Sequence, residues 1–169
     1  CGLKDGGCAQ RFTGGLIYST PATGTHAVWG AIGEKYARLG WETSTLGYPT
    51  SGEFCGLRDG GCAQRFQGGM TYWSPGSGAH PVWGSILRAY ASQGWETGSL
   101  RYPISGGGAL VNGTITQTLQ GGQLVFHADT GAVDNGGSGK PVERCTASLY
   151  NEPQMTASGE WFNPSTLTA

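Results

Sequence analysis

The feature that most constrains the fold is an internal duplication with a period of 54 residues, because Cys1 returns as Cys55. The segment CGLKDGGCAQRF at 1–12 is followed by CGLRDGGCAQRF at 55–66. The match continues through paired glycines, a His-x-Val-Trp-Gly element, a Gly-Trp-Glu-Thr element and a Leu-x-Tyr-Pro element. Such dense identity in a fixed order indicates a duplicated supersecondary unit whose copies pack on each other.

A third, degenerate copy follows the second. The segment QTLQGGQLVFHADTG at 117–131 aligns with QRFQGGMTYWSPGSG at 64–78, but it lacks cysteines and is not followed by a helical pattern. Terminal repeats are often atypical because they cap a stack. We therefore expect a repeat domain at 1–133, with copies at 1–45, 46–99 and 100–133, then a glycine-rich linker at 134–143 and a strand-like tail at 144–169.

Each unit is predicted to contain a hairpin, a short helix and a turn. In the second copy, short strands flank Gly68 and Gly69, apolar residues recur at helical spacing over 82–90, and Gly94 stands at the helix C-cap. A unit of this size is too small to bury a core alone. The sequence predicts a β-rich α+β array of tandem hairpin-helix-turn repeats, either curved or closed like a propeller.

Composition excludes several classes of function. Charged residues make up 12% of the chain and the formal net charge is −1, so the basic surface of a nucleic-acid-binding protein is absent. No apolar stretch approaches the ~20 residues of a membrane span. Neither a glycosidase-like carboxylate pair nor a nucleophile-elbow motif is present. We therefore expect no membrane span, no catalytic residue and no cofactor or metal.

The cysteines repeat with the units, since Cys1 and Cys8 have the spacing of Cys55 and Cys62. In an exported protein this predicts two local disulfides, with a four-cysteine zinc site of unfavourable spacing as the alternative. Because the chain opens at Cys1 rather than methionine, we expect a removed leader or a piece of a longer protein. The internal twin of Cys1 argues against a lipid-modified cysteine. Cys145 has no partner in this scheme.

Several elements resemble the LGFP repeat family. They are the Leu-Gly-Tyr-Pro turn at 46–49, the hairpin pattern F-x-G-G-x-[IT]-Y, and V-x-G-x-I at the start of a helix. The resemblance covers 1–133, and Arg101 departs from the glycine of the motif. It implies a secreted, wall-associated protein of mycolate-bearing or related actinobacteria. The implied function is anchoring to, or binding, a cell-wall polysaccharide, either peptidoglycan or arabinogalactan.

The tail resembles a second family. The segment TASGEWFNPSTLTA at 156–169 is similar to the opening of the double-psi β-barrel domain of rare-lipoprotein-A-like (RlpA-like) proteins, which cleave or bind peptidoglycan strands. The resemblance covers about 145–169 and stops before the family's catalytic histidine and aspartate. It implies an incomplete barrel and an alternative function, the targeting half of a lytic-transglycosylase-like enzyme.

Aromatic residues are the candidates for glycan contact, because sugars stack their C–H faces on Trp and Tyr rings. Trp73 is replaced by Ser19 in the first copy, which favours an outward position, whereas aromatics that recur between copies are expected in the core. The two repeated histidines are expected to support the repeat interface or contact the ligand. The candidate glycan-binding residues are therefore Trp73, Tyr72, Trp83, Trp29, His80 and His26.

A third candidate function is purely structural. Stacked repeats with few charges and exposed strand edges are suited to assembly into homo-oligomers or filaments.

Overall fold

The computed structural model describes residues 1–136 and, within the tail, the antiparallel pair of short strands Gln154–Met155 and Trp161–Phe162. Residues Cys1–Gly137 form one compact unit and Ser138–Ala169 form another. Most of the predicted linker and the RlpA-like segment therefore lie outside the described residues. None of the helices described is both long and apolar enough to span a membrane.

The first copy folds into a three-stranded antiparallel sheet followed by a helix. The strands β1 (Cys8–Phe12), β2 (Gly15–Thr20) and β3 (Gly24–Trp29) pair in chain order, and α1 (Gly30–Leu39) begins at the next residue. The helix ends at Gly40, whose φ of 100° lies in the left-handed region that glycine adopts without steric cost.

The second copy repeats this arrangement and adds one strand, and the third retains only a sheet. In the third copy no helix follows within the described residues. These two copies contain β4 (Phe54–Leu57), β5 (Gly61–Phe66), β6 (Gly69–Ser74), β7 (Gly78–Trp83), α2 (Gly84–Ser92), β8 (Thr114–Leu119), β9 (Gly122–His127) and β10 (Val133–Asp134). The predicted β-rich α+β array of hairpin-helix repeats is confirmed.

Each sheet has two packing faces, because successive side chains of a strand point to opposite sides. In the first copy Tyr18 and Val28 face α1, and they form a core with Ile32 and Tyr36. That core also contains Phe66, which belongs to the second copy. Helix α1 thus lies between its own sheet and the next one.

The second core has the same organisation. Tyr72, Val82 and Tyr90 pack within the second copy, and Leu119 and Leu124 of the third copy complete the cluster. Consecutive copies are therefore interlocked, since each helix buries apolar side chains from two sheets.

The Leu-x-Tyr-Pro turn joins one copy to the hairpin of the next, and we call this contact the junction. Leu46 and Tyr48 are buried. The Gly68 N–H donates to the Leu46 carbonyl at 2.8 Å, and Gln67 exchanges two hydrogen bonds of 2.9 Å with the backbone of Tyr48. The second junction repeats the pattern, with Gln120 and Gly121 binding the turn at 100–103.

A glutamine side chain completes each junction. Gln64 is fully buried, and its Nε2 donates to the carbonyl oxygens of Ala27 at 2.8 Å and Ser51 at 2.9 Å. Gln117, one repeat later, donates to the carbonyl of Ser105.

Within residues 1–136, the first sheet has no such neighbour on its outer side. Phe12 is 49% exposed and Trp29 is 53% exposed, whereas Phe66 is only 5% exposed. Across residues 1–136 the array is therefore open, and closure like a propeller does not occur.

The predicted disulfides Cys1–Cys8 and Cys55–Cys62 are both present. Cys55 and Cys62 face each other across β4 and β5. Because zinc binds thiolates and these four sulfur atoms are bonded in pairs, the alternative of a four-cysteine zinc site does not hold.

Candidate functional site: a tryptophan-glutamate groove

Each helix is followed by a corner with an unusual backbone. Trp41 and Trp95 have φ values of 58° and 55°, and each follows a glycine that is also left-handed. A positive φ is rare for a bulky residue and costs on the order of 1–3 kcal/mol. In the second corner, the Thr97 hydroxyl donates to the Gly94 carbonyl at 2.6 Å and closes the turn. The corner therefore fixes the position of the tryptophan ring.

The ring packs edge-on against the core. The ring centroids of Trp95 and Tyr90 are 5.8 Å apart with planes at 85°, and those of Trp41 and Tyr36 are 5.6 Å apart at 88°. Trp95 is nevertheless 36% exposed, so part of its surface remains open to a ligand.

A glutamate follows each of these tryptophans and is almost buried. Glu42 is 9% exposed and accepts a hydrogen bond of 3.3 Å from the Tyr18 hydroxyl, and Glu96 is 7% exposed. Burial, with the Glu42 charge as a second cause, raises the pKa of Tyr18. Burial and the Glu96 charge raise the pKa of Tyr102 to about 12. The neutral Tyr18 hydroxyl donates to Glu42, whereas the Tyr102 hydroxyl donates to the backbone carbonyl of Arg58.

In the second copy, the corner forms one wall of a groove of about 220 Å³, which we call the Trp-Glu groove. The guanidinium of Arg65 lies 5.1 Å from the ring centroid of Phe54. The groove thus combines aromatic surface, an arginine and a carboxylate. Its lining residues are Phe54, Leu57, Arg65, Met70, Tyr72, Trp95 and Glu96.

The first copy has a corresponding groove. Arg11, Leu16 and Trp41 occupy the positions of Arg65, Met70 and Trp95 and line a larger groove of about 400 Å³. The carboxylate in its lining is Glu34 of α1, whereas Glu42 lies beside Trp41 in the sequence and does not line the groove. This groove extends to Trp29, because no preceding repeat covers that side of the first sheet.

The six residues chosen from the sequence do not come together at one site. Tyr72 is 3% exposed, which leaves no ring face for a sugar. Trp73 and Trp83 are partly buried and pack against the first core. His26 and His80 each donate from Nε2 to the carbonyl oxygen three residues earlier, at 2.7 and 2.8 Å. These histidines therefore stabilise the turn before β3 or β7.

The expectation that recurring aromatics are buried is wrong for Trp29, which is the most exposed of the large aromatic side chains named above. Its counterpart Trp83 is half-buried because the first copy packs on it. The same sequence position is thus buried or exposed according to whether a repeat precedes it.

Of the residues that line the Trp-Glu groove, Tyr72 was selected from the sequence, and Arg65, Trp95 and Glu96 were missed. The available signal was the repeated Trp-Glu-Thr element together with the repeated arginine at 11 and 65. Nothing in the sequence indicates the left-handed backbone at Trp41 and Trp95, which brings the ring to the edge of the core.

Comparison with known families identifies the repeats. The LGFP repeat family matches residues 1–44 and 46–98, which together are more than half of the chain. LGFP repeats are typical of cell-wall-associated proteins. No curated protein matches the chain. The match lies in the first two copies and gives no support to the RlpA-like resemblance of 145–169.

Proposed function

The chain belongs to the LGFP repeat family, and from this premise we propose that it is a secreted, non-catalytic module that binds cell-wall glycan through its Trp-Glu grooves. The observation that carries the proposal is the recurrence, in the partial first copy and the full second copy, of an exposed arginine and a held tryptophan beside a nearly buried glutamate. The ligand classes are arabinogalactan and peptidoglycan.

The chemistry of the groove suits a sugar. The apolar C–H face of a pyranose or furanose ring packs on an aromatic surface such as Trp95, which buries apolar area on both partners. Arg65 offers several N–H donors in a fixed geometry, and a carboxylate such as Glu96 accepts from hydroxyls. Because the corner fixes the tryptophan before binding, little side-chain entropy is lost on contact.

Two grooves on one chain favour a polymeric ligand. A glycan strand that occupies one groove holds its neighbouring units at high effective concentration near the second, and such linkage increases avidity by roughly 10²–10⁴-fold. Weak binding at each groove is therefore compatible with firm attachment to the wall.

The test is co-sedimentation of the chain with purified wall of a mycolate-bearing actinobacterium, before and after removal of arabinogalactan. Loss of binding on removal would assign the grooves to arabinogalactan, and retained binding would assign them to peptidoglycan. Absence of binding to both preparations would contradict the proposed function.

Groove variants locate the binding surface. We expect Arg65→Gln to weaken binding several-fold and Arg11→Gln/Arg65→Gln to abolish detectable co-sedimentation, because avidity is then lost. Arg88→Gln is the matched control, since it removes the same charge from an exposed position of α2 outside the groove. Equal binding by the double variant and the control would contradict the assignment to these grooves.

The residues suggested by the sequence are tested in the same assay. Trp73 is the strongest of them because it is unmatched between copies and partly accessible. If Trp73→Ala weakens binding and the arginine variants do not, the ligand lies along β6 instead of in the Trp-Glu groove.

A second candidate is the targeting half of an RlpA-like, lytic-transglycosylase-like enzyme. It is favoured by the sequence of 156–169. The resemblance places the catalytic residues outside this chain, so we expect no release of soluble fragments from peptidoglycan. Fragment release would contradict the non-catalytic assignment, whereas binding to peptidoglycan without release would support targeting.

A structural role in self-assembly is the third candidate. Light scattering of the free chain would support it by giving a mass several times 17.6 kDa.

A further inference from the structure

The outer face of the first sheet is formed by Gln10, Phe12, Gly14, Ile17 and Trp29, and it corresponds to a face of the second copy that is largely covered. Four of the five residues are identical between the two faces, and Ile17 stands where the second copy has Thr71. We propose that it is a docking site for the helix and Leu-x-Tyr-Pro turn of a further LGFP repeat. The site is inferred from the two junctions already described and not from ligand or wall binding, and it shares Gly14 and Trp29 with the edge of the first-copy groove.

The apolar residues of this face change environment between copies. Phe12 is 49% exposed and its counterpart Phe66 is 5% exposed, while Ile17 is 36% exposed and its counterpart Thr71 is fully buried. In the second copy, α1 and the turn at 46–49 provide the cover. The first copy retains the apolar face without that cover.

A glycine gives a more specific indication. A Cβ on Gly68 would overlap the carbonyl oxygen of Thr45, and a Cβ on Gly121 would overlap that of Ser99, so both junctions require glycine for close approach of the turn. At the equivalent Gly14, an added Cβ meets nothing within 4 Å, and φ is not positive. Among the residues that the structure describes, nothing requires glycine there, but a docked turn would.

The buried glutamine of each junction also has an uncovered counterpart in the first copy. Gln64 and Gln117 are buried and donate to the carbonyl oxygens of Ser51 and Ser105, which directly follow the two junction turns. Gln10 occupies the equivalent position and is exposed. Thr13 occupies the position of Gln67 and Gln120. The hydrogen bond that the side chain of these glutamines accepts from the turn would therefore be missing, and the backbone hydrogen bonds of the junction could form.

The number of hairpins and Leu-x-Tyr-Pro turns indicates which segment occupies this face. Residues 1–136 contain three hairpins of this type but two turns, and both turns are seated on the second and third hairpins. A second copy of this chain, folded as described, has no unoccupied turn to offer from these residues. The partner is therefore a repeat whose turn is free, placed in tandem at this end.

The surface chemistry favours a protein segment over a sugar. The part of this face beside Phe12 is a groove of about 280 Å³ with no charged, amide or hydroxyl side chain. A sugar seated there would leave hydroxyls without side-chain partners, which is unfavourable. An apolar helix face and a turn that hydrogen-bonds through its backbone match this lining.

The experiment extends the full chain by a copy of residues 1–54 joined ahead of Cys1, so that the native 54–55 connection is reproduced. Hydrogen exchange is followed in the peptide covering 10–17, which then occurs twice. We expect two populations, one exchanging as in the parent and one slower by roughly tenfold or more, because the inner hairpin is covered. Gly14→Ala in the inner copy marks its peptide by mass and should abolish the protection.

Each outcome decides the proposal. The parent chain with Gly14→Ala should fold and exchange as the parent does, which shows that the substitution is harmless without a docked repeat. If both peptides of the extended chain exchange as in the parent, or if Gly14→Ala leaves the protection intact, the proposal is overturned. It is also overturned if the parent forms a dimer that Gly14→Ala dissociates.

Discussion

Replacing Gly68 with alanine is the most direct test of how the repeats hold together. The new methyl group would meet the backbone carbonyl of Thr45, which cannot move without displacing the Leu-x-Tyr-Pro turn. The turn is held by the 2.8 Å hydrogen bond from the Gly68 N–H to Leu46, so any displacement weakens the junction.

The magnitude follows from two contributions. Overpacking at a tight contact costs about 1–3 kcal/mol, and loss of a backbone hydrogen bond adds about 0.5–1.5 kcal/mol. We therefore expect Gly68→Ala to lower the free energy of unfolding by about 2–4 kcal/mol. For a chain of this size that corresponds to a decrease in Tm of roughly 6–12 °C.

The matched control is Gly14→Ala, where the added methyl group meets open space. We expect a change within about 0.5 kcal/mol, or slight stabilisation through a less flexible unfolded chain. Urea unfolding followed by far-UV circular dichroism measures both variants with the disulfides intact. Equal effects of the two substitutions, or a Gly68→Ala effect below about 0.5 kcal/mol, would refute the role assigned to the junction glycine.

Three further predictions concern the cores, the disulfides and the buried amide. Burial raises the pKa of all six tyrosines of the two cores above the ordinary value. Their contribution to stability is therefore complete below about pH 10 and lost as the pH rises further. The tyrosinate absorbance of these six, out of seven tyrosines in the chain, should appear together with cooperative unfolding rather than before it. Reduction of the disulfides should cost about 2.5 kcal/mol for each eight-residue loop, and an unchanged urea midpoint in dithiothreitol would contradict this. Gln64→Leu should lower the free energy of unfolding by about 1–3 kcal/mol, because the carbonyls of Ala27 and Ser51 lose their hydrogen-bond donor, although the unpaired Oε1 is also removed. Gln10→Leu, at an exposed position, should leave the urea midpoint unchanged.

Local features of the fold could be predicted from the sequence because they depend on neighbouring residues. The hairpin at Gly68 and Gly69, the helix end near Gly94 and the pairing of Cys55 with Cys62 all follow from turn chemistry and spacing. The repeat itself follows from the identity of its copies.

The packing between copies could not be predicted from the sequence. Phe12 and Phe66 occupy the same position of the repeated motif, one period of 54 residues apart. Their burial differs because another copy packs on Phe66 and none of the described residues packs in this way on Phe12. The Trp-Glu groove was missed for a similar reason. The ring of Trp95 is partly exposed because of a left-handed backbone, and such a conformation is not typical of tryptophan.

The interlocking of the cores also determines how the chain matures during synthesis. The first core includes Phe66, so the 54-residue sequence period is shorter than the smallest segment that can complete a core. A nascent chain must expose the first helix to water until the second hairpin, which ends at Ser74, has left the ribosome. Folding therefore lags behind translation by about one hairpin at each repeat, and a proteolytic cut at the sequence boundary leaves the upstream fragment with an incomplete core.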